Sequence, residues 1–148
     1  MKLKLLFLIA LLPMSNIQSQ NVNDEINQVL ALFVENLNNL DLDPFIENFA
    51  PEATIFFPRN AFPIARVTGK EAIKNEFKQF FDNVRGDRTE PPFINIIPKD
   101  KELKVYDNIA VVSLHFQMGE EFHRRTIILE KRNNKWLIIH LHASFLTE

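Results

Sequence analysis

The sequence predicts an α+β domain in which N-terminal helices pack on one face of an antiparallel sheet. Three observations carry that expectation. Apolar residues recur at three- and four-residue steps over residues 22–40 and again over 73–84. From residue 92 onward the period changes to two, over several successive runs. Between those runs lies turn chemistry: Asp107-Asn108, Gly119 with acidic neighbours, and Asn133-Asn134. Helices first and hairpins afterwards is the order of an α+β layer fold, not of alternating βαβ units.

Val22, Ile26, Val29, Leu30, Phe33, Leu37 and Leu40 make one stripe of a first helix over about 22–40. Asp24 and Glu25 favour its N-terminus through the helix dipole. Asp43 as N-cap and Pro44 as first helical residue predict a short second helix over 44–49. Pro51 ends it, and "ATIFF" (53–57) reads as a strand. Thr68 and Glu71 stand at capping-box spacing before a third helix, whose face carries Ile73, Phe77, Phe80, Phe81 and Val84. Strands are then expected over 92–97, 102–106, 109–117, 122–132 and 135–145.

The chain has 148 residues, 46% hydrophobic and 24% charged, which suits one globular domain. Its opening is different. Lys2 and Lys4 precede an apolar run, Leu5 to Leu12, that Pro13 breaks. That run is too short to cross a hydrocarbon core of about 30 Å, so residues 1–20 read as a signal peptide and 21–148 as the mature domain. Export to a periplasm or the exterior is expected. The absence of Cys leaves neither a disulfide nor a lipid-modified Cys anchor, so the core alone must hold the fold. Loss of Lys2 and Lys4 takes the net charge from −2 to −4. No basic excess exists for nucleic acid, and no Lys/Arg cluster for a lipid surface.

Asn133-Asn134 as a hairpin turn pairs Arg132 with Lys135, Lys131 with Trp136 and Leu129 with Ile138. The same alternation pairs Ile127 with His140, Arg125 with His142 and His123 with Ser144. A turn at Gly119-Glu120 sets Phe116 opposite His123, Leu114 opposite Arg125, Val112 opposite Ile127 and Ala110 opposite Leu129. One face then carries Ala110, Val112, Leu114, Phe116, Ile127, Leu129, Trp136 and Ile138, with His123, Arg125, His140, His142 and Ser144 at its far end. A one-residue slip would exchange the faces.

The segment "LDPFIENFAPEATIFFP", then "TGKEAIKNEF", then a strand "KWLIIHLHAS" resembles the SnoaL-like branch of the nuclear-transport-factor-2-like superfamily, which includes ketosteroid isomerases and limonene epoxide hydrolases. The resemblance covers roughly residues 22–145. It implies a cone: a strongly bent antiparallel sheet with three N-terminal helices packed on its concave face, a pocket at the wide end, and a homodimer formed through the convex face. It does not imply isomerase chemistry. Where those isomerases carry an Asp base before a Pro, this chain has Phe57 before Pro58, and the first helix offers Leu30 and Phe33 where they use a Tyr. An epoxide-hydrolase Asp/Arg/Asp cluster cannot be assembled either.

The candidate pocket is therefore polar at His123, Arg125, His140, His142 and Ser144 and apolar at Trp136, Phe33 and Phe57. Its expected ligand is a small, partly apolar molecule whose acidic or carbonyl end meets Arg125 and His142. The bland alternative is a hydrogen-bonded plug closing the end of the sheet. Three His suggest a metal, but Arg125 among them opposes a bound cation; no metal and no cofactor is expected. Two other readings stay open: an isomerase, cyclase or dehydratase using His142 as acid/base, and an interaction module whose pocket has collapsed. A carboxylate beside His142 would favour the first, and too small a cavity the second. Most of the 14 Phe are expected to fill the core. Arg59 and Arg66 in the loop 58–67 are candidates to steer an anion.

Overall fold

Helix α1 (Ser15–Asn39) lays the expected stripe against the sheet, with Ile26, Leu30, Phe33, Val34 and Leu37 buried. It ends at Leu40, which takes the left-handed conformation (φ 55°) that commonly stops a helix. In this computed structural model, residues 15–58 and 66–146 are described. Residues 1–14 of the expected leader, and Arg59 and Phe62 of the loop, lie outside the described residues.

The second helix, α2 (Leu42–Ile46), is shorter and earlier than its predicted range. Asp43 does not cap it; its carboxylate accepts from Lys74 Nζ at 2.8 Å. Phe45 of α2 is fully buried at the hub of an aromatic cluster, 5.0 Å from Phe33, 5.5 Å from Phe49, 4.5 Å from Phe77 and 5.5 Å from Phe81 between ring centroids. Tilted and edge-on pairs at these distances suit the ring quadrupoles. Here three helices and the first strand meet. Helix α3 (Lys70–Arg85) buries Ile73, Phe77 and Phe81 as predicted, but the expected capping box is not used. Thr68 belongs to a strand, and the N-cap is Gly69, whose φ of 97° suits a residue without Cβ.

Six strands form one curved sheet in the order β2-β1-β6-β5-β4-β3. These are β1 (Phe49–Phe56), β2 (Arg66–Thr68), β3 (Ile97–Tyr106), β4 (Ile109–Met118), β5 (Glu121–Arg132) and β6 (Lys135–Phe145). All neighbours are antiparallel except β1 and β6, which run parallel, so the sheet is mixed rather than a pure meander. The two predicted strands 92–97 and 102–106 are replaced by the single edge strand β3, with an irregularity between Lys99 and Glu102. Residues 93–96 dock on α1 instead. Asn38 acts as their strand partner: its side chain donates to the Ile96 carbonyl at 3.1 Å and accepts from the Ile96 amide at 2.8 Å. Its own carbonyl accepts from Phe93 and Ile94.

Every predicted β4–β5 pair occurs. At the start of the β5–β6 hairpin Arg132, Lys131 and Leu129 also pair as expected. Then the register shifts. Leu129 faces Ile138 but Ile128 faces His140, so Ile139 is an extra residue on β6. On its other side, β1 is irregular between Phe49 and Thr54, a stretch that contains Pro51 and so lacks one ladder donor. Bulges bend the strand that carries them and raise its twist. The two irregularities adjoin, and β6 curls there around the helices.

Candidate functional site

The shift at Ile139 decides which side chains reach the interior. Beyond it, Leu141 and Ala143 are buried and Phe145 half-buried, while His140, His142 and Ser144 turn to the opposite face. Ser144 pairs with Arg124, His142 with Thr126 and Phe56, and Phe145 takes the predicted place of Ser144 opposite His123. The expected inward His140, His142 and Ser144 are therefore corrected: with one extra residue, period-two alternation sends them outward. His142 is exposed, its ring edge-on to Phe56 at 6.0 Å. His115 lies on that face too, 3.2 Å from the Asp100 carboxylate.

Trp136 is buried on the concave side, but at the far end of β6. Its indole N–H donates to Glu25 Oε2 at 3.0 Å, and Lys131 Nζ donates to the same oxygen at 2.6 Å. Those two bonds hold the Glu25 carboxyl below its usual range. This group ties α1 to the sheet and does not line the main cavity.

His123, Arg125, Phe33 and Phe57 do come together. They line a cavity of about 250 Å³ between the helices and the concave face. Its apolar walls come from Phe33 and Leu37 of α1, Phe77 and Phe80 of α3, Ile94 and Ile96 of the docked segment, and Leu141, Ala143 and Phe145 of β6. The polar groups form one row on β5, Glu121, His123 and Arg125, spaced two apart and so on one face. Glu121 is exposed at 78%, which places it at the solvent end.

Arg125 is half-buried. Its Nη1 donates to the Arg124 carbonyl at 2.7 Å, and its guanidinium carbon lies 5.0 Å from the centre of the Phe116 ring. Among the described residues no carboxylate pairs with it, and burial pushes its pKa down to about 10. His123 is only 4% exposed, yet neither ring nitrogen has a hydrogen-bond partner among the described residues. Glu121 Oε2 is 3.3 Å from His123 Nε2, near enough for attraction but misaligned for a hydrogen bond. A buried imidazole with two unused nitrogens needs a reason, since such groups are normally satisfied.

Burial holds His123 below the ordinary histidine range, Arg125 adds to the shift and Glu121 opposes it. The unfolded chain gains this proton near pH 6.5, the folded one only at lower pH. Stability is thus complete above about pH 6.5 and declines as pH falls through that window. His140, lowered by burial and by His142, acts in the same direction. The urea midpoint is expected to drop between about pH 6.5 and 5, and to drop less in His123→Gln. An equal slope in the variant would mean that His123 is solvated.

The sequence readily locates His123 and Arg125, because β5 alternates without interruption. It also carries the signal for the residues that were missed. Trp136 and Ile138 are apolar at even positions, whereas Leu141, Ala143 and Phe145 are apolar at odd ones. That change of parity marks a bulge.

The fold recurs in solved structures. An NTF2-like protein of unknown function from Pseudomonas putida superposes with a TM-score of 0.71 at 17% identity, over 84% of this chain and 87% of that one. A candidate dehydratase of the NTF2-like family from Streptomyces avermitilis gives 0.73 at 13% identity, over 88% and 99%. A candidate ketosteroid isomerase from Parabacteroides distasonis gives 0.62 at 19%, over 80% and 86%. At these identities the likeness is one of fold. No curated protein matches the sequence. The SnoaL-like domain family, however, matches residues 26–148, and the chain belongs to that family.

Proposed function

We propose that the protein is an exported small-molecule-binding domain whose ligand has an apolar body and an anionic or carbonyl end. The supporting observation is the pair on β5: an Arg125 without a carboxylate partner among the described residues and a buried His123 with two unused nitrogens, both on the wall of an apolar cavity. Arg125 supplies charge-assisted donors, and neutral His123 can donate one N–H beside it. The role first assigned to His142 thus passes to His123. An engineered cavity of about 150 Å³ holds benzene, so 250 Å³ admits a short chain or one ring with its polar end. Self-association through the convex face accords with the exposed Phe56, Ile97 and Phe122 there.

Octanoate and octan-1-ol test the reading by isothermal titration. A charge-assisted bond contributes about 1.5–3 kcal/mol, so octanoate is expected to bind at least about tenfold tighter. Equal affinity for the alcohol would remove the case for Arg125.

The distance of 3.3 Å between Glu121 and His123 favours a second reading, in which His123 acts as acid/base on an enolisable carbonyl. Its signature is deuterium exchange beside the carbonyl of 2-octanone in D2O, which simple binding does not produce.

A further inference from the structure

Behind the main cavity lies a second one of about 150 Å³, between α1, the start of β3 and the middle of the sheet. Two side chains line both spaces: Phe33 and Phe116, each 1% exposed. Phe33 and Phe116 are thus what the two spaces share among the described residues, and no charged residue belongs to that shared lining. The inward rows of β4 and β5 run from one cavity into the other. On β4, Met118 and Phe116 line the first cavity and Phe116 and Leu114 the second; on β5, His123 and Arg125 line the first and Ile127 the second. Leu114 is the cross-strand partner of Arg125. Arg125 thus stands at the waist between the two spaces, stacked on one of the rings that divides them.

We infer that the site takes a two-armed ligand, an anionic or carbonyl group at Arg125 with one apolar arm in each cavity, rather than a single-tailed molecule. This rests on the binding reading above and adds the shape of the ligand. A head group held at the waist leaves about 250 Å³ on one side and about 150 Å³ on the other. The smaller space suits an arm of about four carbons, since a void of that size holds the six carbons of benzene. Rotation of the Phe33 or Phe116 side chain opens the partition. Engaging Arg125 and moving Phe116 are coupled, because the guanidinium rests on that ring.

The probes are octanoate and 2-butyloctanoate, the second carrying a butyl arm beside the same carboxylate. Titration of the full domain is expected to show the branched acid at least tenfold tighter, well within the four added carbons at about 0.8 kcal/mol each. Val34→Phe projects a ring into the second cavity and is expected to bring the ratio of the two affinities to within threefold of one. Ala31→Phe, on the exposed rim of the same cavity, serves if that variant does not fold. Equal affinities in the wild-type domain would overturn the two-armed site while leaving the binding reading intact. A ratio that survives both substitutions would overturn it too, because the second arm would then lie elsewhere. Failure of both acids to bind would remove the two readings together.

Discussion

Arg125→Leu is expected to weaken octanoate binding by at least about 100-fold and, in the same protein, to raise the melting temperature. Removing one partner of a desolvated charge pair costs a complex about 2–5 kcal/mol, and among the described residues no other Lys or Arg lines the main cavity. Stability should move the other way. In the fold the guanidinium is half-buried, with the Arg124 carbonyl and the Phe116 face as its partners among the described residues, and burial has already lowered its pKa. Replacing such a charge by a hydrophobic side chain is commonly neutral or stabilising by about 1–4 kcal/mol, and 1 kcal/mol corresponds to about 4 °C at this chain length. Thermal unfolding with and without octanoate measures both effects. A residue kept at the expense of stability is kept for what it binds. If Arg125→Leu instead melts well below the wild type, Arg125 is a structural group and the cavity has lost its anchor.

The contrast between β5 and β6 shows how far a sequence can be read into a site. On β5 the inward row His123, Arg125, Ile127 and Leu129 follows from one turn and strict alternation, and the structure keeps it. The same rule fails on β6, because alternation counts residues and a bulge adds one. The helices were legible because their stripes are long, yet their first turns were not. Asp43 and Thr68 have the chemistry of caps but are engaged elsewhere, by Lys74 and by β2. Ile94 and Ile96 alternate like a strand and are indeed buried. Their partner is Asn38, whose carbonyl accepts from Ile94 and whose side chain bonds Ile96 from 58 positions away in the chain, which no local pattern announces. The parallel pairing of β1 with β6 is non-local in the same way. What the sequence shows poorly is whatever depends on a partner distant along the chain.

Deletion of Ile139 is expected to keep every later side chain of β6 on its present face, because Ile139 is the residue that the bulge adds. With it gone, His140 follows Ile138 directly and still faces Ile128, and Leu141 still faces Ile127, in ordinary alternation. What is lost is the bend, since a bulge kinks and twists the strand that carries it. Leu141, Ala143 and Phe145 stay inward on a straighter strand, and the cavity wall that they form changes shape. Ile139→Ala keeps the count of residues and the bulge, and is expected to cost only about 1 kcal/mol, because it trims a half-buried side chain. Urea unfolding monitored by near-UV circular dichroism compares the two variants, since Trp136 reports tertiary packing at the start of the same strand. The deletion variant is expected to unfold cooperatively yet to bind octanoate more weakly than Ile139→Ala does. A deletion variant that binds octanoate as the wild type does would show that the bend of β6 does not shape the cavity, and one that no longer unfolds cooperatively would show that the fold itself needs the bend.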